Sequence, residues 1–321
     1  MSLPGRKPFR TFLGVLLVVI LALGLTACGP KQQAGTPPPQ SPPTTPGPAP
    51  GPTPSTPPTP GTPTVSGKLI AHFLDVGQGD SCFISLPDGK TILIDAGTTA
   101  SGTSIVDYIK GLDVTRLDYV IFTHPHEDHI GGGQAVLKAF EIGQIYMPRT
   151  SHTTQIYENL LLAIQAKGLT IAEAKTGTVL IDKQKLNASL ISPGKAYPDL
   201  NDWSPVLVLK YDTKTLVFAG DASTTAEADM LAAQSVPDAD VLKVGHHGSS
   251  TSTGRSFLRA LTPSVAVISV GAGNSYGHPT QATLDRLSSV EAEVYRTDTN
   301  GTIIVSTDGS VLSVSVERSP P

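Results

Sequence analysis

Cysteine is nearly missing from this chain: 2 occur in 321 residues, Cys28 and Cys82. Once Cys28 is committed elsewhere, as argued below, no disulfide framework is available. Cys82, in the apolar stretch Ser81-Cys82-Phe83-Ile84, reads as a small buried strand residue rather than a reactive thiol. A basic excess is missing as well. Lys and Arg number 23 against 27 Asp and Glu, a formal charge of −4, whereas proteins that wrap nucleic acid usually carry a strong positive balance. Lys243, Arg255, Arg259, Arg286 and Arg296 are basic residues of the C-terminal third that could still gather on one face. Long apolar runs are scarce, since Phe12–Leu25 is shorter than the roughly 20 residues of a membrane-spanning helix. A packed core remains open to the chain, because 39% of its residues are apolar.

Arg6, Lys7 and Arg10 precede that run, a basic-then-apolar order that reads as a secretory signal. It closes on Leu25-Thr26-Ala27-Cys28, which resembles the site where bacterial signal peptidase cuts ahead of a cysteine that becomes lipidated. Residues 1–28 are therefore expected to be a lipoprotein signal. Acyl chains on Cys28 would hold the protein at the extracytoplasmic face of the cell membrane; an uncleaved N-terminal anchor is the alternative. Residues 29–67 are rich in Pro, Thr and Gly and almost without aliphatic side chains, a composition that cannot bury enough surface to fold. At about 3.1 Å per residue such a linker reaches roughly 90–100 Å. Folded sequence is expected over 68–318.

Within it, Leu69–Asp75, Ser81–Leu86 and Thr91–Asp95 are short β runs separated by Gly-rich turns, the pattern of an antiparallel meander. Helical and strand patterns then alternate. Helices are expected near 103–110, 132–140 and 154–166, with strands at 117–122 and 142–147 and several more between 170 and 218. A second series has helices near 224–234, 254–261 and 281–288, strands at 241–244 and 265–270, and a hairpin at Asp308-Gly309. Strands and helices in both halves predict an α/β protein with two sheets face to face and helices outside, a four-layer αββα sandwich.

The densest chemistry is Thr123-His124-Pro125-His126-Glu127-Asp128-His129-Ile130-Gly131-Gly132, directly after the strand pattern. Three histidines and two carboxylates crowd residues 124–129, and a divalent cation is what compensates such a group. A loop leaving a strand can turn His124 and His126 one way and Asp128 and His129 toward an adjacent point. The two glycines let the next helix start close by without Cβ clashes.

With Phe73-Leu74-Asp75-Val76-Gly77-Gln78-Gly79-Asp80, Ile94-Asp95-Ala96-Gly97, Gly220-Asp221 and Leu242-Lys243-Val244-Gly245-His246-His247-Gly248-Ser249, this motif resembles the metallo-β-lactamase superfamily. More narrowly it resembles the competence-protein ComEC branch, over essentially all of 68–316. The resemblance implies that His124 and His126 hold a first ion, Asp128 and His129 a second, and that Asp221 bridges both. One of His246 and His247 would complete the second site, with His247 favoured. Asp95 would orient the ligand loop from behind, and Asp75 and Asp80 are grouped with it. Asp128 and His278 are the expected catalytic residues, His278 contacting a phosphate or donating a proton just ahead of Thr280, a candidate helix N-cap. Many superfamily hydrolases carry another histidine where this chain reads Asn201-Asp202-Trp203-Ser204, which leaves the first ion with fewer ligands. Asn201, Ser204, Ser249 and Asn274 are expected against the substrate, and His152 at the surface.

The implied cofactor is one or two divalent ions, Zn or Mn foremost. The implied function is an extracytoplasmic metal-dependent phosphodiesterase acting on DNA. Two hydrolase alternatives are a small or wall-linked phosphodiester and a lactam or thioester. A non-enzymatic module binding DNA or an envelope polymer is the alternative of another class, disfavoured because structural zinc sites are closed and rich in Cys.

Overall fold

The computed structural model describes residues 67–319; the expected signal segment, Cys28 and nearly all of the expected linker lie outside the described residues. The chain opens with six strands of one sheet: β1 (Leu69–Phe73), β2 (Cys82–Ser85), β3 (Thr91–Ile94), β4 (Arg116–Ile121), β5 (Glu141–Met147) and β6 (Ile171–Glu173). It then builds a second sheet from β7 (Val179–Asp182), β8 (Leu186–Leu190), β9 (Leu207–Tyr211), β10 (Lys214–Phe218), β11 (Val241–Lys243), β12 (Val265–Ile268) and β13 (Glu293–Arg296). The hairpin β14 (Ile303–Thr307) and β15 (Leu312–Val316) returns to the first sheet. The orders are β15-β14-β1-β2-β3-β4-β5-β6 and β13-β12-β11-β10-β9-β8-β7. β1 to β3 form the expected antiparallel meander, whereas β3 to β6 and β10 to β13 run parallel.

Parallel strands need crossovers, and helices supply them: α1 (Gly102–Lys110), α2 (Glu127–Ile130), α3 (Gly133–Ala139) and α4 (Gln155–Ala166) in the first half, and α5 (Thr224–Ala232), α6 (Arg255–Leu261) and α7 (Gln281–Ser288) in the second, while α8 (Thr297–Asn300) links β13 to β14 of the other sheet. Side-chain alternation then sets the layers. In β3, Ile92 and Ile94 enter the core between the sheets, while Leu93 joins the core under the first-half helices. Between the sheets Phe73 stacks on Phe218 with ring centroids 5.8 Å apart. Outside the second sheet, Val217 and Leu242 pack against Phe257, Leu258 and Leu287 of α6 and α7. Three cores mean four layers, so the αββα expectation holds. Cys82 is buried in β2, and burial pushes its thiol pKa well up. Among the described residues no helix is long and apolar enough to cross a membrane.

Parallel strands end together, and so do their loops. The carboxyl ends of β3, β4, β10 and β11 deliver Asp95, Thr123–His126, Asp221 and His246–His247 to one edge of the sandwich, the edge where open α/β sheets bind ligands. Close packing there depends on missing side chains. A Cβ on Gly132 would be driven into the carbonyl oxygen of Ala96 and would lie 2.8 Å from the Cα of Gly102. Gly132→Ala is therefore expected to cost about 1–3 kcal/mol, read as a lower urea midpoint at unchanged slope; an unaltered midpoint would show that the α1–α3 contact yields freely.

Candidate metal centre

The ligand loop is shaped by Asp95, which is wholly buried and holds a left-handed backbone (φ +57°). Its carboxylate accepts the Thr123 N–H and hydroxyl, each at 2.7 Å, and Nδ1–H of His129 at 2.8 Å. A carboxylate has no proton to give, so Nδ1 of His129 carries a proton and Nε2 is the nitrogen left facing forward, where a cation would take the place of its proton. Asp128 and His129 follow each other on the single turn of α2, and Nε2 of His129 lies 3.3 Å from Asp221 and 3.9 Å from Asp128. Ahead of that turn, His124 Nε2 stands 2.9 Å from His126 Nδ1 and 3.8 Å from Asp221.

The second half closes the site with a left-handed turn. His246 and His247 have φ of 50° and 54°, a region uncommon for residues other than glycine but several-fold enriched in histidine. The turn sends the two rings to different places. His247 is buried, donates Nδ1–H to the Ser269 carbonyl at 3.0 Å, and brings Nε2 to 3.2 Å from Asp128 and 3.7 Å from Asp221. His246 is a quarter exposed, 3.7 Å from Asp221. Of the two, His247 is the one whose position suits a ligand.

Burial opposes charge on all of these groups, yet the site is built of charge. Burial lowers His129 and His247, but the carboxylates of Asp221, Asp95, Asp80 and Asp128 outweigh it and hold both above the ordinary histidine pKa. Burial likewise raises Asp80, and Lys243 and His247 more than reverse it, holding the carboxyl near 2; Lys243, itself buried, pairs with Asp80 at 2.8 Å. His129 Nε2, His247 Nε2 and Asp221 Oδ1 are buried without a hydrogen bond of acceptable geometry. Their spacing suits an ion, since donors tetrahedral about a centre at 2.0–2.2 Å lie roughly 3.4 Å apart. Four sets of donors each converge within 4.8 Å: His124–His129–Asp221, Asp128–His129–His247, Asp80–Asp221–His247 and Asp80–Asp95–His129. Asp221 thus stands with His124 in one set and with His247 in another, while His126 belongs to none, despite its approach to His124.

Above the cluster lies a pocket of about 560 Å³, with Asp128, Asp221 and His247 on its floor and His126, Asn201 and His278 around it. His278 faces His246, ring centroids 5.7 Å apart. Burial, together with His246 and His247, lowers its pKa.

Several expected site residues stand elsewhere. Asp75 pairs with Arg318 at 2.8 Å and lines a separate cavity of about 510 Å³, although β1 ends level with β3 at the ligand edge and the chain reaches the site just beyond, at Gln78 and Asp80. Ser204 is wholly buried behind the cluster, its Oγ accepting the Asp221 N–H at 3.1 Å and lying 3.4 Å from His124 Nδ1; it positions ligands and is out of reach of substrate. Ser249 is buried and its hydroxyl is spent on Thr251. Asn274 spends both ends of its amide on the backbone of its own loop. Of the five basic residues, Lys243 is buried, Arg286 caps the carbonyls of Ser250 and Ser252, and Arg296 is held by Asp298, while Arg255 and Arg259 are exposed on α6 and do not line the pocket. His152 is half-buried, 6.1 Å from His126 ring to ring.

Glu227 on α5 escapes sequence reasoning, since nothing in Thr224–Ala232 marks it apart from a solvent-facing helix residue. It is buried and accepts the N–H groups of Thr253 and Gly254, and Thr253 Oγ1 accepts that of Gly245, so α5 braces the His246–His247 turn. Burial pushes its carboxyl up to about 7.

A sequence model of the metallo-beta-lactamase superfamily matches residues 74–272. The chain is 34% identical over 259 residues to ComE operon protein 3 of Bacillus subtilis, covering 75% of this chain and 33% of that protein. It is 32% identical over 231 residues to competence protein ComA of Neisseria gonorrhoeae (71% and 31%) and 29% over 238 residues to recombination protein 2 of Haemophilus influenzae (72% and 28%). The chain thus spans about a third of the length of these relatives.

Asp95→Asn removes the acceptor that fixes the His129 tautomer. It is expected to weaken binding of Zn or Mn about 10–100-fold, measured by competition with a chromogenic chelator; unchanged affinity would remove Asp95 from the support of the site. Glu227 binds its proton more tightly folded, at about 7, than in the unfolded chain, at 4.5. Stability is therefore expected to fall as pH rises through that window, by on the order of 3 kcal/mol. Glu227→Gln should flatten that limb of urea midpoint against pH, and an identical limb in the variant would assign it to other groups.

Proposed function

The chain belongs to the metallo-beta-lactamase superfamily, and from that premise we propose that it is an extracytoplasmic, lipid-anchored metal-dependent phosphodiesterase acting on DNA. The observation that carries the reading is the set of buried, unpartnered donors on His129, His247 and Asp221, of which His247 and Asp221 line an open pocket. When bound there, a divalent ion supplies Lewis acidity and lowers the pKa of a coordinated water toward about 7. Histidine and carboxylate donors suit Zn, Mn or Fe. The remaining work falls to the protein. Asp95 and Ser269 fix the ring tautomers of His129 and His247, Asp80 with Lys243 balances charge behind them, and His278 offers a ring N–H to a phosphate oxygen from the pocket wall.

Relatives named for competence and recombination support DNA as the substrate. The stretch Asn201–Trp203 forms a 3-10 turn with no histidine to add to the cluster, which supports a phosphodiester over a lactam or thioester. One observation favours a smaller ester as the second reading: the pocket lining contains neither lysine nor arginine, and phosphate neutralisation by those side chains supplies most affinity for long DNA. The basic-apolar order of residues 6–25 and Cys28 support export and attachment, with the linker holding the catalytic part out from the membrane.

The test uses the full-length chain, stripped and resupplied with Mn, Zn or Mg, on linear and circular DNA, bis(p-nitrophenyl) phosphate and a chromogenic cephalosporin. Metal-dependent cleavage of the phosphodiesters is expected, and Asp128→Ala should lower it by more than the roughly 100-fold that loss of an outer partner costs. Turnover of the cephalosporin alone would sink the reading. For the anchor, Cys28→Ser is expected to abolish incorporation of labelled palmitate and to move the protein out of the membrane fraction; labelling that persists would reject Cys28 as the attachment point.

A further inference from the structure

Tyr276 is 68% exposed, more than any other large apolar side chain among the described residues. Leaving an aromatic ring in water forgoes the stabilisation of burying it, and the loop that carries it is nonetheless tightly built. Asn274 Oδ1 accepts the N–H groups of Tyr276 and His278, each at 3.1 Å, and its Nδ2 donates to the carbonyls of Gly271 and His278. The ring stacks on His278 at 5.7 Å with planes 25° apart, and His278 in turn faces His246 at 5.7 Å. One face of an aromatic is thus presented at the wall of the metal pocket, joined to the ligand cluster through two imidazoles.

We propose that Tyr276, stacked on His278 beside the metal pocket, is a platform on which a nucleobase of a single-stranded nucleic acid stacks next to the scissile phosphodiester. The proposal rests on the phosphodiesterase reading and narrows its substrate. Three observations converge on it. The pocket, at about 560 Å³, has room for one nucleotide. Its lining has neither lysine nor arginine, so grip on a strand must come from something other than those side chains on phosphates. Stacking is the sequence-tolerant contact that remains, as every base has a π face. In a duplex those faces are covered by neighbouring pairs, which leaves single strands and frayed ends as the form that fits.

Cleavage by the full-length, metal-loaded chain is compared on an oligothymidylate and on the same backbone with abasic residues beside the scissile bond. A preference for the base-bearing strand on the order of tenfold in kcat/KM is expected. Tyr276→Phe and Tyr276→Trp should keep that preference, and Tyr276→Ala should bring it toward unity. Equal cleavage of the two strands by the unsubstituted chain, or a preference that survives Tyr276→Ala, overturns the platform and leaves the phosphodiesterase reading standing. If neither strand nor bis(p-nitrophenyl) phosphate is cleaved, the phosphodiesterase reading falls. Fluorescence anisotropy with labelled oligothymidylate then decides the platform separately: binding weakened severalfold in Tyr276→Ala supports it, and equal binding overturns it.

Discussion

The buried carboxylate of Asp95 holds three hydrogen bonds in a conformation that disfavours most side chains, and the ligand loop takes its shape from them. Two of the bonds pin Thr123 where β4 ends, so His124 must leave the strand in one direction. The third keeps a proton on Nδ1 of His129 and leaves Nε2 as the nitrogen facing forward. Around that hub the protein assembles more negative charge than its interior tolerates unaided. Asp80 is balanced by Lys243. Asp221 and Asp128 have imidazoles beside them but no fixed cation, which is why a divalent ion fits.

The same balance shapes what the pocket can hold. A cation held by these donors would attract an anionic group, while the pocket lining carries no lysine or arginine. Of the basic residues of the C-terminal third, burial or a local acceptor takes Lys243, Arg286 and Arg296, and the exposed Arg255 and Arg259 of α6 do not line the pocket. In the proposed platform, the exposed Tyr276 ring stacked on His278 is the neutral contact at the pocket wall. In longer relatives, of which this chain spans about a third, other regions add to the same polypeptide.

Much of the architecture is written in local pattern. The meander of β1 to β3 shows in short apolar runs between Gly-rich turns, and α7 shows in an amphipathic repeat behind Thr280, whose side chain caps it. Three short pieces are not legible. β13 reads Glu-Val-Tyr-Arg and earns its place by pairing with β12, α8 is a single turn, and α2 is too brief for any period. In each, tertiary neighbours supply stabilisation that the local residues lack.

The candidate site divides along the same line. His124 to His129 are contiguous, so the chain's own bonds hold them together and a linear reading can find them; Asp221 and His247 lie in short distinctive motifs. Substrate-side roles are different, because a hydroxyl or amide in a loop is defined by what it faces. Ser204 turns inward to His124, Ser249 to Thr251 and Asn274 to its own backbone, and Asp75 turns to Arg318. Residue type and spacing thus determine the fold family and point to a cluster of candidate donors, since those depend on periodicity and covalent proximity. The direction of each remaining side chain, the bracing by Glu227 and the exposure of Tyr276 emerge when strands distant in sequence end at one edge, because packing and hydrogen bonding across that edge select the rotamers.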